Sequence, residues 1–168
     1  MENRPRNWPP FPVPLCYVGP KGIGEVMNRL IDLLHDRQMF FVEPARTVSE
    51  VARTMSDLPV GAILVLEDGQ LRGLFSERDL MTRVVVAGRN PEQTPVREVM
   101  STELATIEET ATSDDAMEMM RRQNCRHLPV TRGPAVVGMI SMRDLMNYEL
   151  ECKTDEIRHM RAYISGSG

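Results

Sequence analysis

The stretch GLFSERDLM at residues 73–81 occurs a second time as GMISMRDLM at residues 138–146, which is 65 positions further along the chain. Around it, residues 42–81 align with residues 107–146 at the same shift without a gap, and ten of the forty pairs are identical. Two copies of one unit usually pack against each other, because neither copy can bury its apolar face alone. The repeat therefore predicts a pseudo-symmetric pair of similar folding units.

The two copies share the same order of predicted elements. A short strand near Phe40–Val42 or Ala105–Ile107 precedes a helix, which begins at Thr47 or Thr112 and has acidic residues in its first turn that complement the helix dipole. Two apolar strands separated by a turn follow, and the repeated SxRDLM then opens a second helix. The apolar strands are predicted at residues 61–66, 71–75, 127–131 and 136–140. The fold class is therefore α+β, built from two β-α-β-β-α repeats.

The end of each motif carries side chains suited to a nucleotide. A serine stands where the strand gives way to the helix, and free N–H groups at a helix start bind phosphate. An arginine two residues later adds a charge suited to phosphate, and an aspartate three residues after the serine offers two oxygens that accept both hydroxyls of a ribose. The strands at Val60–Ala62 and Leu128–Pro129 offer an apolar slot for adenine. The motif residues are Ser76, Arg78 and Asp79 in the first copy and Ser141, Arg143 and Asp144 in the second.

A purely structural role for the motif is the alternative. A serine followed three residues later by an acidic residue is also a capping box, which closes a helix N-terminus without any ligand. Both copies nevertheless repeat the arginine, which capping does not require. Both also have a glycine, Gly73 or Gly138, that permits close backbone approach. The two roles are compatible in one turn, so both stay open at this point.

The composition excludes several classes of protein. The chain has 168 residues, of which 42% are hydrophobic and 26% charged, so it can build a core of its own. No run of 18 apolar residues is present, and the start MENRPRNWPP lacks the apolar run of a signal peptide. A net charge of −4 and a pI near 5.5 argue against a nucleic-acid binder. We therefore expect a cytoplasmic protein with no nucleic-acid and no membrane partner.

Three cysteines, Cys16, Cys125 and Cys152, lie far apart in the sequence. Their spacing matches neither a disulfide framework nor a metal site, so we expect reduced thiols and no bound metal. Cys125 has two interpretations, a redox thiol activated by the arginines beside it or a small buried residue at the start of a strand. The sequence favours the buried residue.

Prolines and glycines indicate the boundaries of the parts. Six of the twelve prolines fall within residues 1–20, which indicates an extended arm, and AGRNPEQTP at residues 87–95 is typical of a linker. A helical apolar stripe follows the arm over residues 25–35, and the last helix is predicted from about Arg143 to Tyr163. The predicted parts are an arm at 1–24, an N-terminal helix with the first repeat at 25–90, the second repeat at 91–150, and a helical extension with the tail at 151–168.

The duplicated unit and its G-φ-φ-S-x-R-D-L ending resemble a tandem pair of cystathionine-β-synthase-type (CBS) domains over about residues 31–150, as in stand-alone two-repeat proteins. The resemblance implies that the repeats pack through their sheets and that clefts between them take adenosyl ligands such as AMP, ADP, ATP, NAD or S-adenosylmethionine. It further implies pairing of modules as homodimers and a regulatory role without catalysis, exerted on a protein that the sequence does not identify. No cofactor is implied beyond the adenosine nucleotide that acts as regulatory ligand.

The resemblance also assigns residues to the site. The threonine that begins the first helix of each copy matches one that lines the family's site, and Arg126 with His127 matches basic residues that reach phosphates. The first copy has Gly61 and Ala62 at those positions, so the two clefts differ in charge. A cation at a helix end also offsets the dipole, which is the alternative role for Arg126. The expected ligand-binding residues are Thr47, Val60, Gly61, Ala62, Ser76, Arg78, Asp79, Thr112, Arg126, His127, Pro129, Ser141, Arg143 and Asp144.

Two functions are therefore compared. The first is a module that senses energy or metabolite state by binding an adenosyl nucleotide and changing conformation. The alternative is a protein-interaction scaffold of the same fold that binds no ligand, which the apolar arm and the Gly61–Ala62 pair favour. An enzyme is not predicted, because no nucleophile–base pair, paired carboxylates or metal cluster occurs at a useful spacing.

Overall fold

The computed structural model describes residues 29–34 and 39–165. The predictions for the arm, for Cys16 and for most of the helical stripe at 25–35 fall outside the described residues. In chain order the elements are α1 (Leu30–Leu34), β1 (Phe41–Val42), α2 (Val48–Asp57), β2 (Ala62–Glu67), β3 (Gln70–Ser76), α3 (Glu77–Asp79), a π-helical segment (Leu80–Val85), a 3-10 helix (Val96–Glu98), β4 (Ile107–Glu108), α4 (Ser113–Gln123), β5 (His127–Arg132), β6 (Ala135–Ser141) and α5 (Met142–Ser165).

The predicted order β-α-β-β-α is confirmed in both repeats. The first repeat runs from β1 through the π-helical segment, and the second runs from β4 through α5. The closing helix of the second repeat has 24 residues, whereas its counterpart in the first ends at Val85. The longer C-terminal helix expected from the sequence is therefore present.

Capping boxes fix where the first helix of each repeat begins. The hydroxyl oxygen of Thr47 accepts from the backbone N–H of Glu50 at 3.3 Å, and that of Thr112 accepts from Asp115 at 3.1 Å. The two carboxylates accept in return from the threonine N–H groups, each at 3.0 Å. These backbone hydrogen bonds are the main reason why the pKa values of Glu50 and Asp115 lie below their ordinary range.

Each repeat forms one three-stranded sheet, in the order β1-β2-β3 or β4-β5-β6. The first pair of strands in each sheet is parallel, and the second pair is an antiparallel hairpin. Asp68 and Gly69 have φ of 53° and 76°, as the turn of a tight hairpin requires. Both hairpins shift register at the same place, at Val65 in one sheet and Val130 in the other. The pseudo-symmetry of the sequence therefore extends to an irregularity of the backbone.

The two sheets face each other across an apolar layer. Leu64 and Leu66 of β2 and Leu74 of β3 are buried there against Val136 and Met139 of β6. Burial of apolar surface is the main favourable term in such packing. Packing of the repeats through their sheets is therefore confirmed.

Each core is completed by a segment that precedes the other repeat in the chain. Val96, which lies between the repeats, is buried in the core of the first, and Leu30 of α1 is buried in the core of the second. The backbone shows the same exchange, because the N–H of Val96 donates to the Arg46 oxygen at 2.8 Å and that of Leu30 to the Ala111 oxygen at 2.9 Å. The sequence grouped the N-terminal helix with the first repeat because the two are adjacent in the chain. In the structure, Leu30 of this helix packs in the core of the second repeat.

The motif glycines make room for these exchanged segments. A Cβ atom added at Gly73 would lie 2.9 Å from the backbone oxygen of Ser101, which also pairs with Leu74 as an isolated β-bridge. A Cβ at Gly138 would lie 2.9 Å from a methyl group of Leu34. The close approach at these glycines, which the sequence predicted, is therefore made by other segments of the same chain.

We expect the Gly73→Ala substitution to lower the free energy of unfolding by about 1–3 kcal/mol, because the new methyl group meets a backbone atom that cannot move aside. Urea denaturation followed by circular dichroism measures this change. Gly61→Ala is the matched control, because a Cβ there meets its nearest neighbours only at 3.6 Å. Equal unfolding midpoints for the two variants would contradict the explanation.

Candidate functional site

A cleft of about 920 Å³ lies where the two repeats meet. The first repeat contributes Val60–Ala62 at the start of β2 and Glu77 at the start of α3. The second contributes Arg126 and His127 at the start of β5 and residues 141–144 at the start of α5. Equivalent ends of the two sheets thus line one cavity, and these ends carry different side chains.

Ser141 and Asp144 form the acidic corner of the cleft. The backbone N–H of Ser141 donates to Asp144 Oδ2 at 2.8 Å, and the Ser141 hydroxyl donates to the same oxygen at 2.5 Å. The backbone N–H of Asp144 donates back to Ser141 Oγ at 3.2 Å, so the capping interpretation is confirmed. A carboxylate accepts about four hydrogen bonds. Capping is therefore compatible with a contact to a ligand in the cleft, which the half-buried Asp144 lines.

His127 lies between groups of both charges. Its Nε2 is 3.6 Å from the point where a Cβ of Gly61 would stand, and Glu77 Oε2 is the same distance from that point. Burial lowers the pKa of His127 most and the charge of Arg126 lowers it further, whereas Asp144 and Glu77 oppose the shift. The imidazole is therefore held toward its neutral form at the junction of the repeats.

An apolar wall completes the cleft. Met39 and Phe40 approach from the chain before β1, and Val137 and Met139 approach from β6. None of these four residues was predicted for the site. Only Phe40 carried a signal, because it lies at the start of a short predicted strand. Such a wall suits a planar aromatic group, which buries a large apolar surface.

Asp79 has the same motif position as Asp144 and different surroundings. It is only 7% exposed, and its Oδ2 accepts from the N–H and the hydroxyl of Ser76 at 2.9 and 2.6 Å. Its Oδ1 accepts from the Ser101 hydroxyl at 3.0 Å and lies 3.4 Å from Arg83 Nε. Asp79 does not line the cleft. Its carboxylate is engaged by the chain on both oxygens.

The structure brings eight of the fourteen predicted site residues around the cleft and leaves six outside it. Thr47 and Thr112 cap helices, Arg78 is exposed at the protein surface, and Pro129 is buried within β5. Ser76 and Asp79 also lie outside the cleft. The eight predicted residues that line it are Val60, Gly61, Ala62, Arg126, His127, Ser141, Arg143 and Asp144.

The Cys125 thiol lies outside the set of cleft-lining residues, beside the core of the second repeat. Burial raises the pKa of the Cys125 thiol, and its side chain packs against the core of the second repeat. This environment fits the buried-residue interpretation that the sequence favoured.

Within residues 29–34 and 39–165, no group of three or more His, Cys, Asp or Glu side chains is placed to hold a metal ion. No helix of that part has the length and apolar character needed to cross a membrane.

Acid is expected to destabilise the fold through His127. The folded chain holds the pKa of His127 below its ordinary value of 6.5, so the unfolded chain binds the proton first as the pH falls through that value. The free energy of unfolding therefore decreases below about pH 6.5 until the folded-state pKa is reached. Urea unfolding at about pH 8 and pH 5.5 should show a smaller loss for His127→Gln than for the wild-type chain. A variant as pH-sensitive as the wild type would contradict this assignment.

Known proteins share this architecture. The profile of the CBS domain matches residues 23–86 and residues 96–151. The chain is 39% identical over 108 residues to the CBS domain-containing protein YhcV of Bacillus subtilis, and the match covers 64% of this chain and 76% of that relative.

Solved structures agree with the sequence relatives. The CBS-domain containing protein ATU1752 of Agrobacterium tumefaciens is 30% identical with a TM-score of 0.68, and the match covers 73% of this chain and 99% of that one. The CBS domain protein PAE2072 of Pyrobaculum aerophilum, solved in complex with AMP, is 28% identical with a TM-score of 0.64, and the match covers 75% and 98% of the two chains. With two matched repeats that pack through their sheets, the chain belongs to the CBS domain family as a tandem pair.

Proposed function

We propose that the chain is a regulatory module that binds an adenosyl ligand, of the AMP, ADP, ATP, NAD or S-adenosylmethionine type, in the cleft lined by Asp144. One observation carries the proposal: an apolar wall, a half-buried carboxylate and a set of basic side chains line the same cleft. An adenosyl ligand has matching parts in its base, its ribose and its phosphate or charged tail. The related PAE2072, which was solved with AMP, supports the choice of ligand class.

Each part of the ligand has a partner of suitable chemistry. The adenine packs among Met39, Phe40 and Met139, where its apolar faces leave water. The ribose hydroxyls donate to the carboxylate of Asp144. The phosphate lies toward Arg126, where a guanidinium forms charge-assisted hydrogen bonds with phosphate oxygens.

The ligand acts by changing the conformation of the module. The cleft is formed by both repeats, so a molecule bound in it contacts both at once. Such a molecule shifts an equilibrium between two arrangements by the difference in its affinity for them. We propose that the chain regulates another protein in this way and catalyses no reaction itself. CBS domain proteins are regulatory modules, which supports this role.

We expect Asp144→Asn to weaken AMP binding by about 10- to 150-fold, because a charge-assisted hydrogen bond to a ligand is worth about 1.5–3 kcal/mol. Isothermal titration calorimetry measures this change. Asp79→Asn is the matched control, and it should leave the affinity within about twofold because Asp79 lies outside the cleft.

Equal AMP affinities for the wild-type chain and both variants would remove Asp144 from the site. Absence of binding by the wild-type chain to AMP, ADP, ATP, NAD and S-adenosylmethionine would instead favour the ligand-independent scaffold.

We further propose that the module forms a homodimer through apolar side chains at equivalent positions of the two closing helices. Val85 is 69% exposed and Leu150 is 64% exposed, and Met81 and Met146 form a second exposed pair. An isologous dimer contact uses the same patch on both subunits, and pseudo-symmetric patches suit it. Exposed apolar groups also favour association because contact removes them from water.

The double variant Val85→Glu with Leu150→Glu should run as a monomer in size-exclusion chromatography with light scattering. Gln70→Glu is the control, because it adds a charge at an exposed hairpin position away from these helices. A monomeric wild-type chain, or a double variant that stays dimeric, would contradict the proposed contact.

A further inference from the structure

Glu77 places a carboxylate at the basic end of the cleft. Its backbone N–H donates to the Gly61 oxygen at 3.1 Å, which anchors the start of α3 to the start of β2. Its Oε2 lies 3.6 Å from the position a Gly61 Cβ would take, the same distance as His127 Nε2. A carboxylate of the first repeat and an imidazole of the second therefore both approach Gly61.

The fold does not require a carboxylate at this position. The equivalent residue of the second repeat is Met142, whose N–H makes the same bond to the Arg126 oxygen at 2.9 Å. Within the stretch from the motif serine to the motif aspartate, this is the one position where the copies differ, SERD against SMRD. Met142 begins the longer helix, so helix initiation does not explain the acid of Glu77 either. The fold therefore does not account for the negative charge of Glu77, and this charge lies at the wall of the cleft.

The charge of Glu77 acts where phosphates would lie. Among the described residues, the basic side chains that line the cleft are Arg126, His127 and Arg143. Glu77 approaches Gly61 from the same distance as His127, and its negative charge opposes the lowering of the His127 pKa. Each phosphate added to a ligand brings further negative charge toward this carboxylate, and like charges at short range repel.

We propose that Glu77 is a specificity-determining residue that makes the cleft prefer adenosyl ligands with few phosphates over ADP and ATP. This inference rests on the proposed function of the Asp144 cleft. It adds the ligand's charge as the property that is selected. Among the described residues of the cleft, two carboxylates, Glu77 and Asp144, accompany the guanidinium groups of Arg126 and Arg143, which suits a ligand of low charge better than a triphosphate.

The test compares a charge series on three proteins. Calorimetry without magnesium measures adenosine, AMP, ADP and ATP binding to the wild-type chain, to Glu77→Gln and to Glu103→Gln, and ATP binding is measured again with magnesium. Glu77→Gln should tighten ATP binding about tenfold and change adenosine binding less than about twofold, because only the charged ligand feels the lost repulsion. Glu103 is exposed and lies outside the cleft, so its variant makes the same change in net charge and should bind like the wild type.

Two further measurements bear on the mechanism. The gain in ATP binding should shrink in about 0.5 M salt, where screening shortens the reach of exposed charges. An NMR titration of the His127 ring should show a lower pKa in Glu77→Gln than in the wild type and no change in Glu103→Gln, because Glu77 supports the protonated ring.

The outcomes separate the two proposals. If adenosine and AMP bind and the charge series is unchanged in Glu77→Gln, the role of Glu77 is overturned and the ligand site stands. If magnesium–ATP binds the wild type more tightly than AMP and Glu77→Gln abolishes that preference, Glu77 holds a cation and the inference is again overturned. If none of the four ligands binds the wild type, the inference about Glu77 is overturned, and the proposed function fails as well if NAD and S-adenosylmethionine also do not bind.

Discussion

The structure depends on the exchange of two short segments between the repeats. The sheet of each repeat covers only part of the core, and Val96 or Leu30 supplies a buried side chain from the chain that precedes the other repeat. The glycines at 73 and 138 lie against these segments, because a Cβ at either would be 2.9 Å from an atom of Ser101 or Leu34. The sheets face each other across an apolar layer of their own, and the cleft is formed where their equivalent ends meet.

The same exchange gives the two motif aspartates different surroundings. Ser101 comes from the segment that packs on the first repeat, and its hydroxyl occupies one oxygen of Asp79. Arg83 approaches the same oxygen from the following turn. Asp144 also caps its helix through Ser141, but it lines the cleft. A motif therefore specifies a local shape, while the residues that pack against it decide what its carboxylate can bind.

Much of the fold follows from local chemistry and was predictable for that reason. Thr47 and Thr112 start helices because their hydroxyls satisfy free N–H groups, and the alternation of apolar strands with turns marks the hairpins. Exchange of α1 was not predictable, because an apolar stripe shows that Leu30 is buried and does not show which core receives it.

The site was predictable in part for the same reason. Ser141, Asp144 and the basic pair at Arg126 and His127 stand out as types of residue, and the structure gathers them. The apolar wall did not stand out, because Met39 and Val137 look like any core residue in a sequence. The sealing of Asp79 depends on Ser101, which lies 22 residues away and outside the motif.

The exchanged segments also bear on how such a chain could arise. A single repeat on its own would lack the segment that completes its core, and the segment that precedes it in the chain would have no second core in which to pack. Two separate repeats could complete both cores by exchanging these segments, as the subunits of a domain-swapped dimer do. The tandem chain corresponds to such a swapped pair whose two units are joined by a peptide linker. Because the units belong to one molecule, their association no longer depends on protein concentration.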